Sequence, residues 1–219
     1  MNYQAYVFDA YGTLFDVHSV KDAIHRCYPE KGPDISKAWR DRQIHYCMIR
    51  QLIQGYRPFD LVTKWALTDA LAANDANYNE ETIEYLMNQY QHLKPYNEVS
   101  QLAENNLHRE LTIFSNGTRS MLQPLLENNQ LTNSFSLISA DDPKIYKPHP
   151  DAYRFAQEKL DQEKEDILFF SSNPWDIAGA AQYGFHTAWI NRNQAKWPEL
   201  GLQPNHTLKD LSHIPDKSS

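Results

Sequence analysis

Five short apolar runs constrain the fold of this chain more than any other feature. They are Tyr3 to Phe8, "LTIFS" (Leu111 to Ser115), "FSLIS" (Phe135 to Ser139), "ILFFS" (Ile167 to Ser171) and "HTAWI" (His186 to Ile190). Each is short and bounded by polar or turn residues, the pattern of a buried strand. Helical segments are expected between most of them: Thr118 to Glu127, Asp151 to Leu160, and Trp175 to Tyr183 with Gly184 as its stop. Strands alternating with helices predict an α/β fold built on a doubly wound parallel sheet. One connection breaks the rhythm, because far more chain than one crossover needs lies between the first run and the second. Pro33 to Gln54 carries Ile35, Trp39, Tyr46, Ile49 and Ile53, with Gly55 after; Phe59 to Ala73 and Glu80 to Leu93 follow as further helices. Residues 16–94 are therefore expected to form an inserted helical cap domain. Residues 1–15 and 95–219 are expected to form the α/β core, with Pro95 marking the return.

Bulk properties narrow the function. A chain of 219 residues, 41% hydrophobic and 22% charged, suits one globular domain with an insertion and can bury a real core. A net charge of −7 argues against nucleic acid as a partner, since phosphate binding wants a basic face. An anionic substrate would need a few local cations to overcome that field. No apolar run has the length to cross a bilayer, and no basic-then-apolar leader opens the sequence. The expectation is no membrane partner and a cytoplasmic location, where Cys27 and Cys47 would be reduced thiols.

In an open parallel sheet, ligands bind outside the carboxyl ends of the strands. The first run ends at Asp9, followed by Tyr11 and Thr13; the second ends at Ser115-Asn116-Gly117. The fourth ends at Ser171-Ser172-Asn173, with Trp175 and Asp176 just beyond, and "IYKPHP" presents Lys147 between the third and fourth. Taken singly, an Asp after a strand is more often a turn or a helix cap. Four strand ends carrying a carboxylate, hydroxyls, an amide and a lysine together point to chemistry.

The set "FDAYGT", "FSNGT", "YKPHP" and "SSNPWD" resembles the haloacid dehalogenase superfamily and, within it, the L-2-haloacid dehalogenases. The resemblance covers essentially the whole chain, the helical insertion included. It implies hydrolysis of (S)-2-haloalkanoic acids to (R)-2-hydroxyalkanoic acids and halide, with no cofactor and no metal. The partner implied is a small 2-halo carboxylate, and the family often forms homodimers through cap helices, which amphipathic cap segments permit. Two positions separate this branch from the superfamily's phosphatases. A phosphatase needs an acid two residues after its nucleophile to protonate the departing alkoxide, but that position is Tyr11, a poor acid at neutral pH. The family's metal-binding acid before the last motif falls on Ser172, which supplies no charge. A halide leaves as a stable anion and needs neither.

Under this resemblance Asp9 is the nucleophile that forms an ester with C2 of the substrate. Lys147 would favour its ionised form, and Thr13 would fix it by a hydrogen bond. Ser115, with the backbone N–H groups of Ala10 and Tyr11, would bind the substrate carboxylate. Arg40, in "AWRDRQ", would close over the site and cradle the halide with Asn116 and Trp175; from the residues alone, Arg42 is almost equally eligible. Asp176 and Asn173 would orient or activate the hydrolytic water, backed by Ser171. Tyr153 belongs to the site by resemblance, although a half-buried helix tyrosine is an equally good reading. Tyr11, Ile44, Phe59 and Trp175 are the candidates for the apolar wall, whereas Trp39 and Trp65 read as helix core. The histidines, His149 included, show no relay or metal spacing. Two alternatives stay open: a phosphatase of the same superfamily, and a catalytically silent binding protein on this scaffold.

Overall fold

The computed structural model describes residues 3–106, 109–215 and 217. Six parallel strands form one sheet in the order β3-β2-β1-β4-β5-β6: β1 (Ala5–Phe8), β2 (Leu111–Ser115), β3 (Ser136–Ser139), β4 (Ile167–Ser171), β5 (His186–Ile190) and β6 (His206–Leu208). Every residue of β1, β2 and β4 is buried, which is why these runs are mostly apolar and do not alternate; their few polar residues, Thr112, Ser115 and Ser171, are buried as well. β1 lies inside the sheet, paired on one side with β2 and on the other with β4. Whatever follows Phe8 therefore emerges in the middle of the carboxyl edge.

Four helices lie between β1 and Pro95: α1 (Lys21–Cys27), α2 (Gly32–Leu52), α3 (Phe59–Ala73) and α4 (Glu80–Gln89). They pack on Ile35, Trp39, Val62, Ala66, Leu67 and Leu86, all fully buried. The Trp39 indole donates to the Thr63 carbonyl at 2.9 Å, which satisfies its one polar atom. This helical core is continuous with one face of the sheet through Tyr11, Phe59 and Tyr90. α5 (Val99–Asn105) and α6 (Arg119–Asn128) flank β2, while α7 (Pro150–Leu160) and α8 (Pro174–Tyr183) contribute Ala152, Tyr153, Ala156 and Ile177 to the other face.

The chain passes between the sheet and the four helices twice, and the two passages pair. Phe15 and Pro95 form an antiparallel bridge, Asp16 N–H donates to the Lys94 carbonyl at 2.8 Å, and Tyr96 N–H donates to the Leu14 carbonyl at 2.9 Å.

Several boundaries differ from the sequence expectation, each for a local reason. α7 and α8 begin one residue earlier, at Pro150 and Pro174, because the missing N–H of proline costs nothing in a first turn. Gly184 ends α8 in the left-handed region at φ 113°, as expected of a helix stop. α4 stops at Gln89 and continues as a single 3₁₀ turn, Tyr90–His92. α1, α5 and β6 had no expectation: the helices span seven residues each and the strand three, too few to display a period. Among the described residues no helix is long and apolar enough to cross a membrane.

Candidate active site

Asp9 follows β1 directly, its N–H donating to the Phe170 carbonyl of β4 at 2.9 Å. The chain then turns sharply: the Ala10 carbonyl accepts from the N–H groups of Thr13, Leu14 and Phe15. Gly12 sits at φ 88°, a conformation that disfavours a Cβ, and a Cβ there would also meet the Ser172 hydroxyl at 3.1 Å. That turn brings Thr13 back under the carboxylate. Thr13 Oγ1 donates to Asp9 Oδ2 at 3.0 Å and accepts from the Ser172 N–H at 2.9 Å. Asn173 Nδ2 donates to the same Asp9 oxygen at 2.9 Å.

Lys147 supplies the charge. Its side chain is fully buried, and its ammonium reaches Asp9 Oδ1 at 3.1 Å, Asp176 Oδ2 at 2.7 Å and the Phe114 carbonyl at 2.9 Å. Three acceptors for three ammonium protons satisfy the group completely. Such burial is tolerable because the charge is paired and fully hydrogen-bonded. Asn116 holds the lysine in place from both sides, accepting from the Lys147 N–H at 2.8 Å and donating to its carbonyl at 3.2 Å. Behind it, Tyr153 donates to Asp176 Oδ1 at 2.7 Å. Gly179 of α8 lets α7 come this close, since a Cβ there would lie 2.6 Å from both Pro148 Cβ and the Tyr153 hydroxyl. Ser171 accepts from the Asn173 N–H at 3.1 Å and so shapes the loop that presents Asn173.

Burial pushes the Asp176 carboxyl up to about 6; the Lys147 charge opposes the rise and the Asp9 charge adds to it. Asp176 is wholly enclosed, and each of its oxygens already accepts from a protein donor. A metal held by Asp9 and Asp176 would have to displace the ammonium that bonds to both, so this donor set is a poor fit for a divalent cation. Among the described residues no group of three or more His, Cys, Asp or Glu side chains is placed to hold a metal.

A small cavity of about 20 Å³, room for little more than one water molecule, opens onto Asp9 and Lys147. Ser115, Asn116, Tyr11, Phe59, Ile44, Trp175 and Arg40 line it, as the sequence suggested, together with Cys47 and Met48, which it did not. Arg40 and not Arg42 faces the cavity. Arg40 donates to the Tyr11 carbonyl at 3.1 Å and to Gln43 at 2.8 Å, whereas Arg42 reaches back along its own helix to the Ala38 carbonyl at 3.5 Å. Gln43, fully buried and also bonded to Thr63 at 2.7 Å, was missed; it stands three residues after Arg40 on one helix face, the one available signal.

Tyr11 is an apolar wall with its phenol held far from ionisation by burial. Its ring stacks on Phe59, centroids 5.6 Å apart at 20°, and burial drives its pKa well above the ordinary tyrosine range. Two buried donors on this wall, Tyr11 Oη and Trp175 Nε1, have no acceptor among the described residues. The backbone N–H groups of Ala10 and Tyr11 likewise donate to no described acceptor. Of the remaining residues of the set, Thr13, Tyr153, Ser171 and Asp176 stand behind Asp9 and Lys147, while Asn173 lines a neighbouring cavity with Arg40 and Ile44. Trp39 is core, Trp65 is 38% exposed, and His149 caps α7 by accepting from the Asp151 N–H at 3.2 Å.

Comparison with known proteins agrees with this geometry. The profile of the haloacid dehalogenase-like hydrolases matches residues 3–184, and the chain belongs to that family. Within it the chain belongs with the L-2-haloacid dehalogenases. (S)-2-haloacid dehalogenase 2 of Pseudomonas sp. (strain CBS-3) is 38% identical over 213 residues, covering 96% of this chain and 93% of the relative. Haloacetate dehalogenase H-2 of Moraxella sp. (strain B) is 40% identical over 214 residues, covering 96% of each. The structure of L-2-haloacid dehalogenase from Xanthobacter autotrophicus with chloropropionic acid covalently bound superposes with a TM-score of 0.91 at 33% identity, covering 96% of both chains.

Proposed function

We propose that this chain is a hydrolytic (S)-2-haloacid dehalogenase that works through an ester on Asp9. The observation that carries the reading is a buried carboxylate at the central strand end, oriented by Thr13, Asn173 and Lys147, facing a small cavity rimmed by Arg40 and by donors without acceptors. Such a site suits an anion whose leaving group is also an anion. The substrate carboxylate is taken by Ser115 and the N–H groups of Ala10 and Tyr11. Asp9 attacks C2 in line, the carbon–halogen bond breaks with its electron pair going to the halide, and the configuration inverts once. The halide is received by Arg40, Trp175 Nε1 and the remaining N–H of Asn116. Water then adds to the Asp9 carbonyl carbon, the bond from that carbon to the alkyl oxygen breaks, and the (R)-2-hydroxy acid leaves. One water oxygen stays on Asp9 and one proton is released.

For Asp176, engagement of both carboxylate oxygens supports a brace for Lys147 over a base in direct contact with water. Residues 16–94 are read as a cap over the core formed by 1–15 and 95–219, since Arg40, Ile44 and Phe59 reach the cavity from that insertion. We read the protein as cytoplasmic and as a homodimer through the cap, where Leu52, the last residue of α2, and Ile53 after it are 82% and 61% exposed. Light scattering on the purified protein is expected to give twice the chain mass; the mass of a single chain sinks the dimer.

Chloride release from (S)-2-chloropropionate in the presence of EDTA tests the function. Release is expected, and aryl phosphate turnover that depends on Mg²⁺ with no halide released overturns it in favour of a phosphatase; neither activity favours a silent binding protein. Followed across pH, the rate is expected to rise through about pH 6 and then level, because Asp176 is protonated below that value and then no longer supplies a charge to Lys147. The residual activity of Asp176→Asn should lack this limb.

A further inference from the structure

Arg192 follows β5 in the loop "NRNQ", and neither the sequence motifs nor the proposed mechanism uses it. Its guanidinium is the meeting point of three parts of the chain. Nη2 donates to the Thr13 carbonyl at 2.9 Å and Nη1 to the Gly12 carbonyl at 3.3 Å, both in the turn that follows Asp9. Nε and Nη2 donate to Glu98 Oε1 at the start of α5, at 3.2 and 2.6 Å. The planar head stacks on the Tyr96 ring, its central carbon 3.6 Å from the centroid. Tyr96 belongs to the passage that pairs with Leu14, and Glu98 stands two residues after it.

We infer that Arg192 is a positioning residue that ties the nucleophile's turn to the paired passages between the sheet and the four helices. The turn is held on one side by the Ala10 carbonyl, which takes three N–H groups, and on the other by Arg192. Thr13 connects the two consequences, because its carbonyl accepts from Arg192 while its hydroxyl donates to Asp9. A shift of the turn is thereby a shift of the Asp9 carboxylate. Only a planar head with five donors can stack on a ring, pair with a carboxylate and reach two carbonyls at once, so a lysine replaces part of the function and not all of it.

The inference rests on the dehalogenase reading for its kinetics and is independent of it in its structural arm. Arg192→Ala and Arg192→Lys are compared with wild type by pre-steady-state chloride release and by hydrogen exchange over residues 9–15. Arg119→Ala, which removes an exposed pair with Asp142, serves as the control. The expected result is a fall in kcat on the order of 100-fold for Arg192→Ala with KM within about threefold, the cost of misplacing a reacting group by a fraction of a bond length. Arg192→Lys recovers part of the rate, and exchange over residues 9–15 quickens in Arg192→Ala but not in the control. If Arg192→Ala proves too unstable to assay, Arg192→Lys carries both measurements. Exchange over 9–15 at the wild-type rate overturns the inference whatever the chemistry, as does a risen KM with unchanged kcat. Absence of chloride release from wild type strikes the dehalogenase reading and leaves the exchange arm to decide on Arg192.

Discussion

Asp9→Ala is expected to abolish chloride release, by on the order of 10⁴-fold or more, while leaving the protein folded. The two halves of that result have separate causes. Activity goes because no other carboxylate is available to attack: Asp176 is fully enclosed and both its oxygens are engaged. The fold survives because Lys147 keeps its 2.7 Å pair with Asp176 and its bond to the Phe114 carbonyl, so no buried charge is stranded. Thermal melting beside the halide assay checks both. Chloride release within tenfold of wild type from a folded Asp9→Ala protein would mean that the nucleophile lies elsewhere.

Lys147→Ala is expected to fail in the opposite way, losing stability as well as activity. It leaves two buried carboxylates, Asp9 and Asp176, facing each other without a cation. Removing one partner of a buried pair costs about 3–5 kcal/mol, and here one cation serves two acids. The variant also loses the ammonium that lies 5.0 and 5.1 Å from the Phe114 and Phe169 ring centroids. The pH dependence follows from Asp176, whose pKa is already raised to about 6 with Lys147 present and must rise further without it. An acid whose folded pKa lies above its unfolded one destabilises the fold above the unfolded pKa, and the penalty is relieved as pH falls through the folded value. Urea unfolding at pH 8 and pH 5 should therefore show the gap from wild type narrowing at the lower pH. A gap that is the same at both, or wider at pH 5, contradicts the account of the ion triad.

What could be read before the structure was known divides along physical lines. The runs that became β2, β4 and β5 were legible to the residue, because a parallel strand buried on both faces is mostly apolar and is bounded by polar or turn residues. Phe59–Ala73 was legible because fifteen residues give a helical period room to show. α1 and α5 were not, being too short. Asp9, Lys147 and Asp176 could be singled out because the carboxyl edge of a parallel sheet collects chemistry. The choice between Arg40 and Arg42 could not be made from spacing, since both lie on α2 and it is their contacts, Arg40 with the Tyr11 carbonyl and Gln43 and Arg42 with the Ala38 carbonyl, that tell them apart. Gln43, Cys47 and Met48 became visible only once α2 lay against the turn that follows β1. Arg192 is the extreme case, bonded to Gly12 across 180 residues of sequence. Tyr11 moved the other way: from the residues it was the absence of an acid, and in the structure it is a buried ring on Phe59 whose carbonyl holds Arg40.

The ester on Asp9 is the centre of the account, and isotope placement tests it most directly. Enzyme in excess over (S)-2-chloropropionate is allowed a single turnover in H₂¹⁸O, and both the product and the peptide containing Asp9 are weighed. The account predicts unlabelled (R)-lactate and one ¹⁸O in the Asp9 carboxylate, because water attacks the enzyme's carbonyl carbon and not the substrate. Labelled lactate with an unlabelled Asp9 would contradict it, and would make Asp9 a base that activates water for direct displacement.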